Sequence, residues 1–486
     1  MRLSELLREV EFEGSIKNDF DIKFVTDDSR LVRTGALFVC IRHRSFDGHT
    51  AAAEALASGA AAVVTQERLG LENELNVADS RAAYARLCAA LCGHPERKLR
   101  MIGVTGTNGK TTVTTLIRNI LSDSGIKTLL TGTVCNRLGE ESLPSGLTTP
   151  KPPELYSLLS RAVLSGCEAC VAEASSQALA QGRLEGIAFD AAVFTNITRD
   201  HLDYHGTFEN YLAAKKKLFE HSKVSAVNLD DPRADEIIAA SSGKTVTFST
   251  VLDCADYTAK NISLLPEGVS FELVSKGRIE HINFASPGLF SVSNAMAAAV
   301  CAINLGVDPR SAAQSLARSK GVCGRLERVE CGTPYSVIID YAHTPDGLEQ
   351  VLRALRPSCR GKLIVLFGCG GDRDKTKRPL MGAAACKYAD TVVVTSDNPR
   401  SEEPMRIIGD ILKGTDKKCR GLFIEEDRRR ATALALSLAK PGDTVLLAGK
   451  GHEKYQLICG EKLPLDERET VREILGLPHD TGRKKP

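Results

Sequence analysis

The residues best suited to chemistry begin with Met101 to Thr115, MIGVTGTNGKTTVTT, where an apolar run stops at a glycine-rich turn and a threonine-rich stretch begins. Gly106 and Gly109 let backbone N–H groups close around an anion, and Lys110 brings positive charge to the β- and γ-phosphates of a nucleotide. Thr111 is placed to hold Mg²⁺ through its hydroxyl. The pattern is a phosphate-binding loop, although Val104 stands where the commoner G-x-x-x-x-G-K-[ST] spacing has its first glycine. A second cluster, Glu173-Ala-Ser-Ser176, offers the carboxylate that an ATP site needs for Mg²⁺. A third, Asn196-Ile-Thr-Arg-Asp-His-Leu-Asp-Tyr-His205, concentrates acids and histidines. His201 and His205 are four apart, but Leu202 occupies the position of the general-base Glu in H-E-x-x-H, so a metalloprotease reading fails. Lys215, Lys216 and Lys217 follow, and by themselves they read as a solvated face.

These clusters need strands and helices to carry them. Met101 to Val104 reads as a strand, and the helix after the loop has Val113, Leu116, Ile117, Ile120 and Leu121 on one face before Gly125 ends it. The start of that helix, with its positive dipole end, faces the phosphates. Ala169 to Ala172 and Ala191 to Thr195 read as strands running into the Glu173 and Asn196 clusters. Ligands of open α/β sheets bind beyond the carboxyl ends of strands, so all three clusters are expected in one crevice.

The chain of 486 residues has room for about three domains. Residues 1–98 read as a small α/β unit, with strands at Leu37 to Ile41 and Ala61 to Val64 and a helix from Ala51 to Ser58 closed by Gly59. Its loops Thr26 to Arg30 and Arg44 to His49 could hold a polar ligand. Residues 99–329 repeat strand, loop and helix, as a parallel sheet with crossover helices does. From about 330 to 486, strands at Val337 to Asp340, Leu363 to Phe367, Thr391 to Thr395, Leu422 to Ile424 and Thr444 to Ala448 end in polar loops, a second doubly wound, Rossmann-like unit. Those loops carry both acids and arginines, which suits a substrate with an amine and more than one carboxylate.

Composition narrows the partners. Lys plus Arg (63) nearly cancel Asp plus Glu (61), Trp is absent and aromatics are sparse, so neither nucleic acid nor an anionic membrane is expected as partner. The start, MRLSELLREVEFEG, is not a signal peptide, and no apolar run approaches a membrane span, so a soluble cytoplasmic chain is expected. Fifteen cysteines scattered through apolar segments, among them Cys88, Cys92, Cys301 and Cys386, suit buried thiols better than a disulfide framework. Cys167 and Cys170 form a lone C-x-x-C and read as core packing. Only the tail from Asp480 to Pro486 looks disordered.

Taken in order, GTNGKTT, LTTP at Leu147 to Pro150, EASS at Glu173 to Ser176, NITRDHLDYHG, GRLE, DYAHTPDGL, GGDRD, SDNPRSEEP and AGKGHE resemble the Mur ligase family over essentially the whole chain. The resemblance implies three domains: a uridine-nucleotide domain at 1–98, a central ATP-binding domain at 99–329 and a Rossmann-like amino-acid domain at 330–486. It implies ATP-driven amide formation, in which the γ-phosphoryl group passes to a substrate carboxylate and an amine attacks the acyl phosphate. Lys110, Glu173, His201 and Lys215 match the catalytic positions; Thr111, Glu173, His201 and a carbamylated Lys215 match the Mg²⁺ site, which reverses the solvated reading for that one lysine. Gly106, Thr107, Asn108, Gly109, Lys110, Thr111, Thr112, Asn294, Arg325, Asp340 and His343 match the ATP positions.

By the same resemblance Ser29 and Arg30 meet the uridine nucleotide, and Thr148, Thr149, Ser175, Gln181 and Arg183 hold the muramoyl-peptide part. Arg373, Asp397, Asn398, Arg400, Gly449 and Glu453 match the amino-acid pocket. An arginine at position 400 can grip the extra carboxylate of meso-diaminopimelate bidentately, whereas lysine offers nothing there to grip. The implied reaction adds meso-diaminopimelate to UDP-N-acetylmuramoyl-L-alanyl-D-glutamate in peptidoglycan precursor synthesis, and a monomer is expected. A lysine-adding relative would dispense with Arg400. A folylpolyglutamate synthetase would need neither the first domain nor Asp-Asn-Pro-Arg. Three positions depart from the family pattern: Gln177 where many members have His, the Arg44-Ser45-Phe46 loop, and the small Ala172 and Ala174 beside Glu173.

Overall fold

Runs of Val, Ile, Leu and Ala bounded by glycine or acidic loops give strands buried on both faces, which is what sheets covered by crossover helices require. The computed structural model describes residues 1–478 except 15, 44, 45, 266, 416–418 and 420. Arg44 and Ser45 of the departing loop, and the tail from Asp480, therefore lie outside the described residues.

Three α/β sheets follow one another along the chain. The first is parallel, in the order β1 (Phe24–Thr26), β2 (Ala36–Val39), β3 (Ala60–Thr65) and β4 (Glu74–Asn76). β2 ends at Val39 rather than Ile41, and the expected helix is a 3-10 turn at Gly48–Ala51 followed by an α-helix at Ala52–Ala57.

The second sheet has a parallel centre. It contains β5 (Arg100–Thr105), β6 (Thr128–Thr131), β7 (Asn136–Leu138), β8 (Glu141–Leu143), β9 (Ala169–Glu173), β10 (Ala191–Phe194), β11 (Val224–Asn228), β12 (Lys244–Ser249), β13 (Tyr257–Leu265), β14 (Gly268–Ser275) and β15 (Arg278–Phe284). In space the order is β15-β14-β13-β12-β11-β10-β5-β9-β6-β7-β8. β5 lies between β9 and β10, parallel to both, so the phosphate loop, Glu173 and Asn196 leave the sheet side by side. The helix after the loop, Lys110–Asp123, buries Val113, Leu116, Ile117, Ile120 and Leu121 on the sheet. Each such side chain taken from water contributes about 2 kcal/mol.

Both edges of this sheet correct the purely parallel expectation. β13, β14 and β15 pair antiparallel, as do β6, β7 and β8. No helix separates those strands. Between β14 and β15 the chain reverses through Lys276 (φ 44°) and Gly277 (φ 78°), a two-residue turn that only an antiparallel pair can use.

The third sheet runs β16 (Glu327–Arg328), β17 (Ser336–Asp340), β21 (Thr444–Ala448), β18 (Leu363–Phe367), β19 (Thr391–Val394), β20 (Leu422–Ile424), with only β16 antiparallel. β16 places Glu327 and Arg328 in this sheet, just ahead of residue 330. A hairpin of β22 (Tyr455–Ile458) and β23 (Glu461–Pro464) follows.

The cysteines also need correcting. Cys386 and Cys419 form a disulfide, their Cα atoms 5.0 Å apart. Residues 33 apart in sequence give no signal of pairing; packing of the helix Lys377–Tyr388 beside Pro404–Leu412 brings them together. Cys92 is exposed, while Cys88, Cys167, Cys170 and Cys301 are buried as expected.

Candidate active site

The loop after β5 can turn only because two of its residues lack a Cβ. Gly106 has φ 154°, and a Cβ there would lie 1.8 Å from Thr195 Oγ1; Gly109 has φ 88°, and its Cβ would meet Asn294 Oδ1 at 2.4 Å. Lys110 folds back onto the loop, its Nζ donating to the carbonyls of Gly106 (2.8 Å) and Thr107 (2.9 Å). Burial pulls this ammonium below its ordinary range, with Glu173 and Asp200 opposing.

Glu173, at the end of β9, is 1% exposed. Its Oε2 accepts from Thr111 Oγ1 (3.1 Å) and Thr133 Oγ1 (2.9 Å), and its Oε1 from the Thr133 N–H (2.8 Å). Lys215, from the helix Phe208–Lys216, is buried with its Nζ 2.8 Å from Gly106 O and 4.6 Å from the centre of the Tyr211 ring. Burial first, and Lys110 second, push it well below the usual lysine range, against the pull of Asp200. The imidazole of His201 is pushed down to about 4, by desolvation and then by Lys110, His343 and Lys215 acting against Asp200.

From the third sheet, Asp340 accepts backbone N–H bonds from Leu326 and Ala342, both 2.7 Å, and so fixes the GRLE turn. Arg325 on that turn lies over the Tyr341 ring at 4.5 Å and donates to Thr111 Oγ1 at 3.1 Å. Asn108 of the phosphate loop donates to Asp346 Oδ2 at 3.1 Å.

One cavity of about 280 Å³ gathers these groups. Thr107 to Thr112, Glu173, His201, Lys215, Asn294, Arg325, Asp340 and His343 all line it, together with Thr148, Thr149, Ser175 and Arg183. Gly106 contributes the carbonyl that both lysines use. Gln181 lines a neighbouring cavity with Arg42, His43 and Arg81, although it also accepts from Arg183. Ser29 and Arg30 line neither cavity; the exposed Arg30 folds onto Asp28 at 2.7 Å.

The third-domain residues form a separate cluster at the ends of β18, β19 and β21. Arg400 has φ 55° and donates to Gly371 O at 2.7 Å. Asn398 donates to Glu453 Oε2 at 2.9 Å. Asp397 is buried, and Gly449 has φ 111° beside it. Arg373 is exposed and reaches Asp203 at 4.0 Å.

Sequence reasoning missed Thr133, Tyr211, Asp346 and Lys450. Tyr211 had a readable signal, standing four residues before Lys215 on one helix. Lys450 sits inside the quoted AGKGHE, yet only the fold shows that its side chain is fully buried.

Chemically the cavity combines anion-binding N–H groups, several cations and a carboxylate next to a threonine hydroxyl. Glu173 Oε2 and Thr111 Oγ1 are hard oxygen donors on one side of it, a set suited to Mg²⁺. Among the described residues no helix is long and apolar enough to cross a membrane.

Known proteins match this arrangement along its length. Residues 21–89 match a model described as Mur ligase family, catalytic domain; residues 104–302 match the Mur ligase middle domain, and 324–451 the Mur ligase glutamate ligase domain. The UDP-N-acetylmuramoyl-L-alanyl-D-glutamate–2,6-diaminopimelate ligase of Syntrophomonas wolfei subsp. wolfei is 43% identical, over 98% of this chain and 99% of its own. A solved structure of a ligase with that description is 35% identical, covers 98% of this chain and 99% of its own, and has a TM-score of 0.70. The MurF ligase of Thermotoga maritima in complex with ADP shares the fold at 20% identity, with 94% of this chain and 97% of its own covered and a TM-score of 0.60. On the order of its motifs, its three sheets and these full-length matches, the chain belongs to the Mur ligase family.

Proposed function

We propose that this chain is the ATP-dependent ligase that joins meso-diaminopimelate to UDP-N-acetylmuramoyl-L-alanyl-D-glutamate, forming ADP and phosphate in peptidoglycan precursor synthesis. The observation that carries the reading is the meeting of two half-sites: the phosphate cavity on the central sheet and the Asp397–Arg400 cluster on the third, joined through Arg325, Tyr341 and Glu453. Tyr341 OH lies 3.4 Å from Glu453 Oε1, and Arg325 stacks on the same ring.

In this reading the three domains are 1–98, 99–329 and 330–486. ATP lies along the loop Gly106–Thr111, with Asn294, Arg325, Asp340 and His343 on its nucleoside side. Lys110 leaves the loop carbonyls for the β- and γ-phosphates and neutralises the charge that builds as the phosphoryl group moves. Thr148, Thr149, Ser175 and Arg183 hold the peptide so that its glutamyl carboxylate meets that group. Thr111, Glu173, His201 and Lys215 would hold Mg²⁺, which when bound supplies charge neutralisation on the phosphate oxygens. The buried amine of Lys215, its proton affinity lowered by desolvation, is suited to take up CO₂ and become the second carboxylate-like ligand. Arg400 and Asp397 then present the amino acid, whose amine attacks the acyl carbon as phosphate leaves. Ser29 and Arg30 face the uridine end. The substrates are small and soluble, so we place a monomer in the cytoplasm.

A substrate panel tests this. Phosphate release from ATP should require both the muramoyl dipeptide and diaminopimelate. Equal or faster turnover with lysine in place of diaminopimelate would overturn the assignment of the amine.

A further inference from the structure

Lys450 lies just past β21 and is fully buried, a position where an ammonium survives only if it is paired. Its Nζ donates to Asn398 Oδ1 at 2.8 Å and Glu453 Oε2 at 2.6 Å, and stands 3.9 Å from Asp397 Oδ1. The Asn398 amide is thereby oriented: its oxygen faces Lys450 and the Leu457 N–H (2.8 Å), and its nitrogen faces Glu453 (2.9 Å). Asp397 Oδ1 is buried and has no hydrogen-bond partner, so its compensation is the charge around it. Of that charge, Lys450 acts most strongly, followed by Arg428, His343 and Arg400. Arg428 is itself locked beneath, donating to Ala448 O (2.8 Å), Ser396 O (3.3 Å) and Glu467 Oε1 (2.8 Å).

We propose that Lys450 is a positioning residue of the amino-acid pocket: its buried ammonium sets Asn398 and Glu453 and serves as counter-ion to Asp397, leaving that carboxylate's hydrogen-bonding capacity for the incoming amino acid. The inference rests on the ligase reading above and adds the group that organises its amine side. A buried cation next to three recognition residues has a specific consequence. Without it, Asp397 faces burial with only Arg428, His343 and Arg400 opposing, and its proton affinity rises. Glu453, which shares the same ammonium, loses that cation and keeps its bonds from Asn398 and Tyr341, and Tyr455 borders the same pocket.

The test is steady-state kinetics of full-length Lys450→Met with all three substrates between about pH 5 and 9, beside thermal unfolding. The expected result is a rise of about 30-fold or more in KM for diaminopimelate, with KM for ATP and for the muramoyl dipeptide within about threefold of the parent. The acid limb of kcat/KM for diaminopimelate should also move to higher pH, and Asp397→Asn in the same background should remove that limb. Equal rises in all three KM values, or an unmoved acid limb, would overturn the proposal. If Lys450→Met fails to fold, Lys450→Gln keeps a donor for Asn398 without the charge, and the same shift of the limb is required of it. Failure of the ligase reading is distinguishable, because the parent enzyme would then not turn over diaminopimelate at all.

Discussion

Lys215 shows how far a single side chain depends on its surroundings. Lys215, Lys216 and Lys217 are chemically identical, yet the first is buried over Tyr211, the second partly covered and the third exposed. Its folded acidity lies well below the ordinary lysine value of 10.5, so between those two values the unfolded chain holds the extra proton. Stability contributed at this position therefore increases as pH rises through that window. In bicarbonate-free buffer, the stability difference between parent and Lys215→Met should shift in the parent's favour from pH 7 to pH 10, measured by denaturant unfolding. A flat difference would mean that burial does not lower the proton affinity of this lysine. Ligation by Lys215→Ala should fall at least about 100-fold, with partial recovery in a short-chain carboxylic acid if the proposed carbamate is a metal ligand.

At the scale of elements, the proposed amino-acid pocket is made by loops that pack closer than a side chain would permit. Gly371 donates its N–H to Asn398 O at 2.9 Å and accepts from Arg400, and a Cβ on it would lie 1.9 Å from Pro399 O. Gly371→Ala must push the β18 loop away from the loop carrying Arg400. A displacement of about 1 Å at a positioning group costs on the order of 100-fold in rate. We expect kcat/KM for diaminopimelate to fall by about that factor while KM for ATP is unchanged; a matching change in ATP binding would show a global effect instead. The strands bearing these loops were legible in sequence, because runs such as Leu363–Phe367 and Thr444–Ala448 are buried on both faces. The approach of loop to loop was not, since it depends on which strands become neighbours.

Polar contacts tie the sheets of the molecule to one another. Asp27 of the first sheet's loops, which accepts from Tyr84 of its own unit (3.1 Å), pairs with Lys151 of the next (3.1 Å). Asp346, at the start of the third domain's helix Pro345–Leu355, accepts from Asn108 and from Gln350 (3.0 Å). The phosphate loop is thus tied directly to the domain proposed to bring the amine. Loss of one such part-buried hydrogen bond costs about 1 kcal/mol, so Asp346→Ala should raise KM for ATP about fivefold to tenfold. Small-angle scattering of that variant should show a larger radius of gyration than the parent without ligand, and a smaller response to an ATP analogue; unchanged scattering would remove Asp346 from domain closure.

The sequence by itself determined the loop Gly106–Thr111, the strands beside it and the order of the motifs, because these rest on local geometry: a glycine turn, an apolar run and a helix start. It also determined that Glu173 and the Asn196 segment would meet that loop, since parallel strands release their ligand-binding ends on one side. Tertiary structure alone decided the reversal of the sheet edges, the pairing of Cys386 with Cys419, the lowered proton affinity of Lys215 and the burial of Lys450. Each depends on what packs around a residue from distant parts of the chain, and on the desolvation that follows. Residue type and spacing name the groups that can bind phosphate and carboxylate; only the packed interior sets which of their charges survive.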